Sequence, residues 1–153
     1  MGKISYDKDV VLWSREQATL LRTGQFSQLD IEHLADEIED VGKSEQRELA
    51  SRMIVLLVHL LKWQLQPSLR GSSWETTIKT QRNGIIRRVS NTPGLKATLA
   101  EADWQIDVWA DVIDQAVKET GLKEDVFPVP CPWQMEQVLS AGWFPEAGIK
   151  KPS

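Results

Sequence analysis

Three observations predict an all-α fold. Apolar residues recur three and four apart from one end of the chain to the other, isolated glycines and prolines fall where those runs stop, and convincing strand alternation is missing. The expected architecture is a mostly up-and-down helical bundle of about five helices, with a short C-terminal helix and an extended Pro-rich segment. The 153 residues fit a single helical domain over 1–153, large enough to bury a core without disulfides or metals.

The first helix is expected from about Asp7 to Thr23, where Tyr6, Val10, Trp13, Gln17, Leu20 and Leu21 recur at helical spacing and Gly24 can supply a left-handed cap. The second opens after Ser27, whose hydroxyl can cap its first turn, and is expected to stop at Gly42. Ile31, Leu34, Ala35, Ile38 and Val41 form its inward stripe, opposite Glu32, Asp36, Glu39 and Asp40. The third runs from Ser44 to about Gln66 and is stopped by Pro67. Leu49, Met53, Leu56, Leu57, Leu60 and Leu61 face one way, and Ile54, Val55 and Val58 make its middle apolar nearly all round, which marks a central, buried helix.

Ser72-Ser73-Trp74-Glu75 has capping-box spacing and opens a fourth helix to about Ser90, with Trp74, Ile78, Ile85 and Val89 inward. Thr92-Pro93 opens a fifth, through Leu95, Leu99, Ala102, Ile106, Trp109, Ile113 and Val117 to Gly121. Prolines at alternate positions in Phe127-Pro128-Val129-Pro130-Cys131-Pro132 exclude a helix there. A short helix from Pro132 to about Ala141 follows. The tail 122–147 carries Phe127, Val129, Cys131, Trp133, Trp143 and Phe144, too apolar to float, so it is expected to pack back onto the helices.

Seven Trp against one Tyr and three Phe is the compositional oddity; indoles fill volume while keeping one N–H that wants an acceptor. Cys131 is the single cysteine and cannot form an internal disulfide, which points to a reducing, cytoplasmic setting. The start of the chain turns acidic before any apolar run and does not read as a signal peptide. The longest apolar stretch, Ile54 to Leu61, is interrupted by His59 and falls far short of the roughly 18–20 residues of a membrane span. The net charge of −4 divides as −3 over residues 1–66, +4 over 67–91 and −5 over 92–153, so a basic segment lies between two acidic ones.

Several motifs occur in a recognisable order: Leu34-Ala35-Asp36-Glu37-Ile38-Glu39-Asp40-Val41-Gly42-Lys43-Ser44-Glu45, then His59-Leu60-Leu61-Lys62-Trp63-Gln64, then Ser73-Trp74 with Thr77-Ile78 and Gln81-Arg82, then Phe127-Pro128 and Cys131-Pro132-Trp133. On these the chain resembles the bacterial "domain of unknown function 29" family, abundant in cyanobacteria, over nearly its whole length. The resemblance implies a small all-helical fold. That family has no established activity, so the resemblance assigns no catalytic residue.

Much chemistry is excluded by the residues themselves. The glycines are isolated helix stops rather than a phosphate-binding loop, and two His with one Cys cannot form the common structural zinc sites, so no cofactor and no metal is assigned. Cys131, between two prolines, would need His33 or His59 delivered to it to act as a nucleophile; a packed thiol is the simpler reading. His33 and Glu37, at i and i+4, could share a metal with a third ligand, but His33 falls on the polar side of its helix. The stronger polar candidates are Glu37, His59, Gln81 and Arg82, with Gln64, each at the edge of an apolar stripe where burial without a partner is costly. Two readings stay open for Glu37, His59 and Arg82: a hydrogen-bonded network that fixes helix register, or an acid/base or anion site.

Lys79, Arg82, Arg87 and Arg88 fan around the fourth helix instead of lining one face, which favours internal pairing over nucleic-acid binding through residues 70–88. Trp104, Val108 and Val112 form a second stripe on the fifth helix, to be covered by the tail or by another chain. The leading functional reading is a small helical protein-interaction module, with another protein or self-association as partner and no membrane. The alternative is an enzyme or small-ligand binder using Glu37, His59 and Arg82.

Overall fold

The computed structural model describes residues 4–147, and among them every regular element is helical. They fall into two compact units that divide between Ser44 and Glu45. The helices are α1 (Val10–Arg22), α2 (Ile31–Leu65), α3 (Ser72–Asn91), α4 (Leu95–Ala100), α5 (Ala102–Thr120) and α6 (Met135–Val138). The all-α expectation holds, with the helix boundaries redrawn in several places.

In the first unit α1 starts later than the spacing predicts, because Asp9 caps it by accepting from the Leu12 N–H at 3.0 Å. Asp30, not Ser27, sits at the start of α2; Ser27 lies in the short 3-10 turn Phe26–Gln28. Gly24 takes the left-handed φ of 73° expected of it. Gly42 does not stop the helix. An interior glycine costs only about 1 kcal/mol, and without a left-handed turn the ladder of hydrogen bonds carries on through it.

The stripe expected to point inward on α2 is instead at the surface: Ile31, Ile38 and Val41 are each about 70% exposed, at 70%, 71% and 69%. The reason is polar. α1 packs against the neighbouring face of α2, where Tyr6, Trp13 and Gln17 find partners in Glu37 and Asp30.

The second unit has a conventional apolar core. Leu49, Met53, Leu56, Leu57, Val58, Leu60 and Leu61 of α2 are buried, as the all-round greasy pattern predicts, against Ile78 and Ile85 of α3. Each such side chain contributes on the order of 1.5–3 kcal/mol. The predicted capping box at Ser72 is not made; Gly71 occupies the cap position and Ser72 is already helical. The predicted fifth helix is two. Glu101 is extended between α4 and α5, and Gln105 Nε2 donates to the Leu99 carbonyl freed by the break at 2.6 Å. After the break α5 buries Val108, Trp109, Val112, Ile113 and Ala116, while Ala102 and Ile106, expected inward, are exposed.

Phe127 and Val138 belong to this core, and Cys131, Trp133, Met135, Leu139, Trp143 and Phe144 pack on it. Three polar contacts pin the segment. Trp109 Nε1 donates to the Pro128 carbonyl at 2.8 Å. Arg82, itself buried, donates from Nε to the Val138 carbonyl at 2.8 Å and from Nη2 to that of Trp143 at 2.7 Å.

Candidate functional site

Within the second unit, α5 and the Pro-rich segment do not close on each other completely. Between them lies a half-open groove of about 520 Å³. Met53 and Leu57 of α2 form its floor, Trp109 and Ile113 of α5 one wall, and Cys131 and Trp133 the other. The proline-restricted backbone is what makes this wall. It cannot coil into a helix, so it runs extended beside α5, and Trp133 meets Trp109 of α5 edge-on at 5.9 Å and Trp143 at 5.8 Å. Both lips carry apolar side chains in water, Ile106 at 63% and Val129 at 77% exposure.

The polar part of the groove is acidic. Asp114 and Glu124 stand on its rim. Asp103, Asp107 and Asp111 continue along the neighbouring exposed face of α5, and among the described residues none of these five carboxylates is ion-paired. Cys131 is the one groove residue with nucleophilic chemistry. Burial pushes its thiol up, only partly offset by its contact with the Trp133 carbonyl, so it stays protonated and unreactive at neutral pH.

Residues 5–144 match the family described as Domain of unknown function DUF29. The chain belongs to that family. No curated protein and no solved structure matches it. The matched DUF29 span takes in every residue lining the groove and most of each unit.

Glu37, His59 and Arg82, singled out in this DUF29 chain, each have partners of their own. The Glu37 carboxylate accepts from the Tyr6 hydroxyl in the first unit. In the second unit the His59 ring bonds the Val55 carbonyl of its own helix through Nδ1 at 2.8 Å, while Arg82 holds the two tail carbonyls. Gln81 is half-buried, its Oε1 without a donor. The carboxylate that feels His59 is Glu119, which the sequence did not bring forward. Burial pushes Glu119 up, but hydrogen bonds from Lys62 and Gln115, with the charges of Lys62 and His59, hold it below the usual carboxylate range. Lys62 reaches Glu119 at 2.6 Å and lies 5.7 Å from the centre of the Trp74 ring.

His33, considered with Glu37 for a metal, is stacked on Tyr6 at 4.2 Å and bonded through Nδ1 to Asp30 at 2.8 Å. In the basic segment 70–88, Arg70 donates to the Trp63 carbonyl, Arg82 to the tail, and Arg88 pairs with Glu45 at 2.9 Å and Glu48 at 3.5 Å; Lys79 and Arg87 are exposed. Of the stripe Trp104, Val108 and Val112, the two valines are buried in the chain's own core, and Trp104 lines the groove. The surface α5 leaves open is therefore the Ile106 side. Its signal in the sequence was the acidic run Asp103, Asp107, Asp111 and Asp114, spaced to flank an apolar position.

Proposed function

We propose that this chain is a non-catalytic protein-interaction module that seats an apolar side chain of a partner in the groove between α5 and the Pro-rich segment. The observation that carries the reading is the groove itself: apolar, half-open, of the size that takes one or two large side chains, and edged by carboxylates that have no ion-pair partner among the described residues. Exposed Ile106 and Val129 at the lips supply further apolar area, and the indoles behind them give a stiff wall. The acidic edge selects a partner segment in which Lys or Arg flanks the apolar anchor. No helix among the described residues is long and apolar enough to cross a membrane. The single cysteine, packed as a thiol, suits a reducing compartment such as the cytoplasm.

The test is calorimetric titration of the full chain with two synthetic peptides, each bearing a Leu-Trp anchor, one flanked by Lys and Arg and the other by Asp and Glu. The basic peptide is expected to bind, more weakly as salt is raised, and to lose at least about tenfold in affinity against Val129→Lys, which removes lip area and repels the basic flanks, a loss equivalent to about 1.4 kcal/mol. Equal affinity for both peptides, or binding that ignores Val129→Lys, would remove the reading.

A further inference from the structure

An open hollow of about 380 Å³ lies between α2 and α3 in the second unit and shares no lining residue with the groove. Its residues come from one stripe of each helix. On α2 these are Glu45 and Arg52, with Glu48 at the helical spacing between them; on α3 they are Gly84, Arg87, Arg88 and Asn91, followed by Thr92 at the cap. Gly84 is what opens the hollow. A glycine inside a helix is a poor helix former, but a Cβ at this position would lie 3.3 Å from Arg52 Nη1, tighter than an ordinary contact. Without that Cβ the Arg52 guanidinium can lie against the backbone of α3.

Internal pairing does not use up the positive charge here. Arg88 is held by Glu45 at 2.9 Å and Glu48 at 3.5 Å, and in the last turn of α3 it also answers the negative end of that helix. Arg52 Nε lies 3.2 Å from Glu48 Oε1 without making a hydrogen bond, so it is a buried donor with no acceptor among the described residues. Arg87 is exposed and has no ion pair among the described residues. Three arginines thus face two carboxylates, and two of the three guanidinium groups have donors to spare. We propose that this hollow binds a phosphate group, either the free ion or the monoester of a small molecule. A tetrahedral oxyanion accepts from several directions at once, so it can take Arg52 from one helix and Arg87 from the other, with the Asn91 amide and the Thr92 hydroxyl beside them. A planar carboxylate is filled by a single guanidinium fork and has less use for a site built from two helices. Glu45, which lines the same hollow, has its charge met by Arg88.

The test is an NMR titration of the full, isotope-labelled chain with sodium phosphate and with glycerol phosphate, at constant ionic strength, against sodium chloride and sodium acetate. Phosphate is expected to give saturable shifts at the amides of Gly84 and Arg87–Thr92 and at the Arg52 Nε–H, and chloride and acetate none. Saturation by both phosphate probes identifies a monoester site, and saturation by phosphate alone a site for the free ion. Arg52→Gln and Arg87→Gln should each weaken binding at least about tenfold. Lys79→Gln, on the same helix but outside the hollow, should leave it unchanged. Gly84→Leu keeps all three arginines and puts a strong helix former in place of the glycine, so α3 persists while the hollow is filled, and binding should disappear. The spread of amide signals reports whether each variant is folded; should Arg52→Gln unfold, Arg87→Gln and Gly84→Leu decide. Shifts that never saturate, that acetate reproduces, or that survive the folded Arg87→Gln and Gly84→Leu variants overturn the proposal.

Discussion

In residues 45–147 the groups removed from water are Leu, Ile, Val, Met, Trp and Phe side chains drawn from α2, α3, α4, α5 and the tail. In residues 4–44 the large apolar side chains fully removed are Trp13 and Leu20, while Val10, Val11, Leu12, Leu21, Phe26, Ile31, Ile38 and Val41 stay exposed. That unit is tied instead by polar and aromatic contacts. Trp13 Nε1 donates to Asp30 at 2.9 Å, the Asp30 N–H donates to Gln17 at 2.8 Å, and the Tyr6 ring lies edge-on to Trp13 and flat on His33. Apolar burial is insensitive to pH and additive in area; a small hydrogen-bonded cluster is directional and titrates. The two units should therefore fail under different insults.

The largest effect is expected from truncation. Ending the chain after Gly121 removes Phe127 and Val138 from the core and uncovers Trp109, so the second unit should lose several kcal/mol, or about 3–5 kcal/mol for Phe127→Ala alone. Chemical denaturation followed by tryptophan emission measures it; a truncated chain with an unchanged midpoint would mean that the core does not need the tail. A smaller loss, roughly 2–4 kcal/mol, is expected for Arg82→Met, which keeps much of the volume but leaves the carbonyls of Val138 and Trp143 without donors. Amide exchange should then quicken in residues 134–144 well before α2 and α3 respond.

The smallest effects belong to the first unit and are effects of pH. Tyr6 is the single tyrosine, and its hydrogen bond to Glu37, with burial and the neighbouring carboxylates, pushes its hydroxyl up to about 12. Absorbance titration should show no tyrosinate forming near the usual value of about 10, and Glu37→Ala should restore it there. The Asp30–His33 pair acts at lower pH. The bond to His33 holds Asp30 below its ordinary value, a contribution present above about pH 4 and lost as pH falls through the lowered value. The same bond raises His33, a contribution present below about pH 6.5 and lost as pH rises through the raised value. Exchange protection in residues 13–33 should thus peak between these limits while that of residues 49–61 stays flat. Parallel changes in both units would erase the distinction.

These differences also explain which parts of the fold were legible in the sequence. Where burial is apolar, periodicity read correctly: the all-round greasy stretch of α2 is the centre of the core, and Pro67 marks its end. Where a polar contact chose the packing face, periodicity misled. The Ile31–Val41 stripe looks inward on a helical wheel, yet Tyr6, Trp13 and Gln17 choose the adjacent face because their hydrogen-bond partners are there. Gly42 and Glu101 show the complementary error. A glycine breaks a helix only if the chain needs to turn there, and Glu101 interrupts one without any local breaker because Leu95 and Trp109 must both reach the core. Of the candidate site, Trp104, Val108, Cys131 and Trp133 were visible as an apolar excess. The groove they help line was not, since it depends on how closely the Pro-rich segment lies against α5.

The clamp made by Arg82 has a consequence for how this part of the chain can vary. Its two acceptors are main-chain oxygens, so no substitution at Val138 or Trp143 deletes them; the side chains there answer only to their own packing. What the guanidinium measures is distance along the chain. Inserting or removing a single residue between 138 and 143 shifts one carbonyl out of reach of a fork whose geometry is rigid, and the buried charge is left half-satisfied. Substitution in this stretch is limited by the packing of Val138, Leu139 and Trp143 and by the left-handed turn at Gly142, while a change of length should be accepted hardly at all.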